Sequence, residues 1–73
     1  MAITLLNNLI AVSHTKSLSD TIWQGQVRKL ATGITGITLG DVLFFDKSKG
    51  VIITVDGQEF ILIKLADVMG KVT

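Results

Sequence analysis

Val51-Ile52-Ile53-Thr54-Val55, then Asp56-Gly57, then Gln58-Glu59-Phe60-Ile61-Leu62-Ile63 is the stretch whose reading decides the fold. Two runs rich in β-branched and aliphatic residues flank a two-residue Asp-Gly connection. Stiff χ1 side chains suit a pleated surface. Asp-Gly accepts positive φ at both positions, as a type I′ hairpin turn demands. Immediately upstream, Asp41 to Phe45 reads as another strand and Asp46-Lys47-Ser48-Lys49-Gly50 as its turn, which predicts a C-terminal three-strand meander. Both faces of that meander are apolar: Val51, Ile53 and Val55 alternate with Ile52, and Phe60 and Leu62 with Ile61 and Ile63. A half-buried sheet alternates polar with apolar residues, so apolar residues on both faces call for cover on both sides. A closed small barrel supplies the inside, and a neighbouring subunit can supply the rest.

Working outward, Asn8 to Ser13 and Thr21 to Ala31 read as strands joined by the polar loop His14 to Asp20. Thr32 to Gly40 carries a small Gly-Ile-Thr duplication, too short for a solenoid, and reads as a compact turn. Ala66 to Met69 suggests one helical turn, and Lys71-Val72-Thr73 a short closing strand. Ile, Val and Thr together make up 24 of 73 residues and no window carries a 3.6-residue stripe, so the fold class is all-β. Residues 1–73 read as a single domain without a linker.

Composition narrows the function. The chain has no cysteine, one histidine, a net charge of +1, 18% charged and 48% hydrophobic residues. Disorder, a disulfide scaffold and a structural zinc site are excluded by these counts. Near-neutral charge argues against a nucleic-acid partner, which wants a basic stripe. The apolar stretches are a handful of residues, against roughly 20 for a membrane-spanning helix. Asn7 and Asn8 interrupt the apolar start and no basic region precedes it, which argues against a signal peptide. The expected location on these grounds is the cytoplasm. A chain of this length buries only about 60–65% of its extended surface. This one is more apolar than one small core can hide, so association with other chains, first of all further copies of itself, is the leading functional expectation.

Candidate chemistry is sparse. His14 sits among Ser, Thr and Lys and reads as an exposed loop residue. Asp41, Asp46, Asp56, Glu59 and Asp67 fall mostly at turns or strand ends, where Asp makes local backbone hydrogen bonds. The glycines from Gly33 to Gly40 lack the Gly-Lys-Ser/Thr ending of a phosphate loop. Lys47 and Lys49 read as solvated residues at a hairpin tip, and Phe44 and Phe45 as core or interface. Trp23 reads as a barrel or interface anchor. No catalytic residue, cofactor site or metal site is expected, and no enzyme activity.

Several segments together resemble the GroES-type co-chaperonin family. Gly40-Asp41-Val42-Leu43-Phe44-Phe45 looks like that family's Gly-Asp-x-Val-x-Phe strand, and Gly50 and Asp56-Gly57-Gln58-Glu59 follow at suitable spacing. Phe60-Ile61-Leu62-Ile63 leads to Asp67-Val68-Met69, similar to the family's Asp-Ile-Leu turn before its last strand. Ile3-x-x-Leu6-x-Asn8 with Ile10-Ala11-Val12-Ser13 follows the opening signature, except that Leu5 replaces a proline and Leu9 a basic residue. Gly25-Gln26-Val27 looks like the Gly-Glu-Val of the next core strand. The resemblance implies a small GroES-like β-barrel whose N-terminal strand pairs with the C-terminal strand of the next subunit in a ring. It makes Ile3, Thr4, Leu5, Val68, Met69 and Val72 the candidate contact residues.

Two family features are missing. The long mobile loop with its Gly-x-hydrophobic tripeptide is reduced to His14–Asp20, and the roof hairpin to Thr32–Leu39. Seven residues reach at most about 25 Å extended, and roughly half that with both ends anchored. Such a barrel, without catalytic groups and rich in apolar surface, suits a structural part of an assembly. The leading expectation is a head decoration or cement subunit on a bacteriophage capsid lattice. The alternative is a small phage-type co-chaperonin that caps a host chaperonin through Leu18, Ile22 and Trp23.

Overall fold

The computed structural model describes residues 4–72. Six strands, β1 (Leu9–Ser17), β2 (Ile22–Leu30), β3 (Val42–Asp46), β4 (Val51–Val55), β5 (Gln58–Lys64) and β6 (Val68–Val72), form one antiparallel sheet in the order β4-β5-β1-β2-β3-β6. Single 3-10 turns at Lys47–Lys49 and Leu65–Asp67 complete the regular structure. The fold is all-β and compatible with a small GroES-like barrel.

The β4–β5 hairpin forms around Asp56 and Gly57, whose φ values of 51° and 82° satisfy the type I′ turn. The expected meander needs correction at its first strand. β3 pairs with β2 and β6, not with β4. Its following segment is no hairpin turn: the Asp46 carboxylate accepts from the Ser48 N–H at 2.9 Å and caps a 3-10 turn, whose first N–H donates to the Thr21 carbonyl. The chain thereby crosses from one half of the sheet to the other. At Gly50 it passes so close to the core that a Cβ would fall 2.5 Å from Ile61 Cγ2 and 3.6 Å from Phe45 Cε2.

Irregular register between β1 and β2, at Ala11/Val12 and at His14/Lys16, helps the sheet curl. Its inner face collects Ile10, Val12, Val27, Leu43, Phe45, Ile61 and Ile63 into one cluster, against which Trp23, Ile34, Ile37 and Val68 pack. Residues from β1, β2, β3, β5 and β6 meet there, so the sheet curls around this face, with no pairing between its edge strands β4 and β6 among the described residues. Thr32–Gly40, expected as a compact turn, has no regular structure and adds Ile34 and Ile37 to this core.

A second cluster lies on the opposite face, where Leu5, Ala11 and Ala31 are buried with Leu9, Phe60 and Leu62 packed against them. Asn7 and Asn8 both adopt left-handed backbone (φ 59° and 60°), a conformation asparagine tolerates better than most residues. They turn the preceding segment back so that Leu5 covers the sheet. Part of the outer cover therefore comes from the chain itself. The loop expected at His14–Asp20 is also shorter, because β1 continues to Ser17 and leaves only residues 18–21 between strands.

Candidate functional site

The solvent-accessible area is 4598 Å², close to the roughly 4400 Å² that size scaling gives for a compact monomer of this mass. The amount of surface is ordinary, and what distinguishes it is where its large apolar side chains lie. Leu6, Leu18, Leu39, Val51, Ile52, Met69 and Val72 are all exposed large hydrophobics. Four of them lie on β4 and β6, the two strands at the sheet's edges. Each of these strands pairs on one side only among the described residues, so one row of its N–H and C=O groups is open to another chain.

β6 is the better defined edge. Val68 is half-buried against the inner cluster and anchors the strand, while Met69 and Val72 stand 58% and 48% exposed. Lys71 fastens the strand's far end: its Nζ donates to the Gly36 carbonyl at 3.2 Å and lies 3.6 Å from Asp41 Oδ2. That Asp41 oxygen also accepts from the Thr38 N–H at 2.9 Å. This hydrogen bond, with help from the Lys71 charge, holds the Asp41 carboxyl below its ordinary range. Asp46 is lowered likewise, chiefly by the hydrogen bond from the Ser48 backbone N–H.

Of the proposed contact residues, Thr4 is exposed and Ile3 lies outside the described residues. Leu5 is 8% exposed and is occupied within its own chain by the outer cluster, so in this conformation it presents no free face. Of these six candidates, and among the described residues, Met69 and Val72 alone combine a free edge with an exposed aliphatic side chain.

The second candidate surface is the tip of the β1–β2 hairpin. Leu18 is exposed there, whereas Ile22 and Trp23 are half-buried. Trp23 packs against the inner cluster, its ring lies 4.5 Å from that of His14, and Lys47 Nζ sits 5.9 Å from the indole centroid. His14 is thus an exposed strand residue whose ring meets that of Trp23 at a 51° tilt, with its Nε2 3.4 Å from Ser17 Oγ. The sequence carried no local signal for this ring contact, because it depends on β1 extending beyond Ser13. Asparagine, by contrast, favours turns and tolerates left-handed backbone, and the Asn7-Asn8 pair could have located the fold-back of Leu5.

Among the described residues no three His, Cys, Asp or Glu side chains group closely enough to hold a metal ion. None of their helices is long and apolar enough to cross a membrane. The arrangement offers hydrogen-bonding edges and aliphatic contacts, the chemistry of protein association.

No protein-family model matches the chain. It is similar to the Co-chaperonin GroES of Halothermothrix orenii, with 31% identity over 55 residues, covering 67% of this chain and 58% of that protein. The chain thus matches less than two thirds of that relative's length. Over this aligned part the chain is similar in sequence to that co-chaperonin, and its all-β fold is compatible with a small GroES-like barrel.

Proposed function

We propose that this protein is a non-enzymatic assembly module, a GroES-like barrel that associates with further copies of itself and with a larger protein lattice through its apolar edge strands. The β6 edge carries this reading, since it sets exposed Met69 and Val72 beside backbone groups that pair with no other strand among the described residues. Edge pairing supplies backbone hydrogen bonds, and burial of apolar surface adds about 25 cal/mol per Å². A modest footprint repeated around a ring or shell therefore suffices. The lattice we favour is a phage capsid, with this chain as a head decoration or cement subunit. The short tip argues against the chaperonin alternative, because a four-residue connection pinned at both ends makes a poor arm for a large chaperonin ring.

The second reading, a small co-chaperonin that caps a chaperonin through Leu18, with Ile22 and Trp23 at its base, is favoured by the similarity to a co-chaperonin. A pull-down separates the two. Copurification with particles at a fixed high copy number supports the lattice role. Nucleotide-dependent capture by chaperonin, lost in Leu18→Asp, overturns it in favour of the cap.

A further inference from the structure

A groove of about 410 Å³ opens where the start of β4 meets β5 and β1, beside the outer cluster. Leu9, Val51 and Leu62 give it an apolar lining, Lys49 and Lys64 supply two positive charges, and Asp67 one negative charge. An occupant of matching chemistry carries one aliphatic side chain and a nearby carboxylate. Leu18 and Asp20, at the hairpin tip, fit that description. Among the exposed large hydrophobics of the described residues, Leu18 alone has an exposed carboxylate within two positions. Leu39 is followed two residues later by Asp41, but that side chain is half-buried and held by Thr38 and Lys71. Met69 follows Asp67, which is half-buried and already lines the groove.

The tip is also built to be presented. The Leu18 N–H donates to the Ile22 carbonyl at 2.8 Å and the Ser19 N–H to the same oxygen at 3.2 Å. Ser19 Oγ accepts from the N–H groups of Ile22 at 3.1 Å and Thr21 at 3.3 Å. A turn fixed in this way loses little conformational freedom on docking. In its own chain Leu18 stays exposed and does not line the groove.

We infer that the Leu18–Asp20 tip of one copy docks in the Lys49/Lys64 groove of a second copy, with Leu18 on the apolar lining and Asp20 between the lysines. The inference rests on the proposed self-association and adds a contact separate from the β6 edge. The charged pair sets which surfaces meet, and the aliphatic contact supplies burial.

Charge exchange tests it. Sedimentation velocity across a concentration series is run on the whole chain, on Asp20→Lys, on Lys49→Glu/Lys64→Glu and on the variant carrying all three changes. The changed side chains are exposed, and far-UV circular dichroism checks that each variant folds. Each partial variant is expected to weaken self-association by about 10-fold, and the triple variant to recover most of it. An unchanged Asp20→Lys, or a triple variant no better than its parents, overturns the docking while leaving association through β6 intact. A wild-type chain that stays monomeric throughout overturns both.

Discussion

The inner face of the sheet and its two edges solve the problem of apolar surface in opposite ways. Ile10, Val12, Val27, Leu43, Phe45, Ile61 and Ile63 are between 0% and 3% exposed, all covered by their own chain. Val51, Ile52, Met69 and Val72, on the edge strands, are between 48% and 62% exposed. The same residue types thus sit dry inside and wet at the rim. The curled sheet fills its interior from five strands, and its edges remain for other chains. Stability and association are therefore separable, and substitutions should divide accordingly.

The largest effect is expected inside. Phe45→Ala removes a fully buried ring and should cost about 3–5 kcal/mol, comparable to the whole stability of a small domain at about 5 kcal/mol. Chemical denaturation followed by Trp23 fluorescence measures it. Leu5→Ala probes the outer cluster, where one folded-back segment gives the cover. A loss of about 2 kcal/mol, at the low end for a buried leucine, is expected because this site can relax more easily. A loss as large as that of Phe45→Ala would erase the distinction between the two faces.

A smaller, pH-dependent effect should appear at the turns. Asp41 and Asp46 have folded-state carboxyls lowered by backbone hydrogen bonds from Thr38 and Ser48. A depressed carboxyl adds stability that is present above its unfolded value of 3.8 and is lost as pH falls through the lower folded value. Denaturation midpoints should therefore fall as the pH drops through that window, from above 3.8 to below the lowered folded value. The fall should be shallower in Asp41→Asn/Asp46→Asn, whose midpoint near neutral pH should already be reduced. A parallel acid dependence in wild type and variant would remove these two groups from the account.

What could be read in the sequence follows the range of the interactions involved. The β4–β5 hairpin is legible because Asp56-Gly57 is a local signal with one well-favoured turn. The partner of β3 is not, because its pairing with β6 spans a crossover that the Asp46 cap directs. β1 beyond Ser13 is equally hidden: its polar residues show no core pattern and hold their strand by pairing with β2, as when Gln24 Nε2 donates to Thr15 Oγ1 at 3.2 Å. In the candidate site, the last strand is legible through the family resemblance. The occupation of Leu5 is not, because the left-handed turn at Asn7-Asn8 decides it.

The separation of stability from association is tested most directly by native mass spectrometry of the wild-type chain beside Met69→Lys/Val72→Lys. Both changed side chains are exposed. That separation predicts a discrete wild-type oligomer and a variant shifted to monomer, with its denaturation midpoint at low protein concentration essentially unchanged. A wild-type chain that is monomeric, or an oligomer indifferent to both lysines, would contradict it.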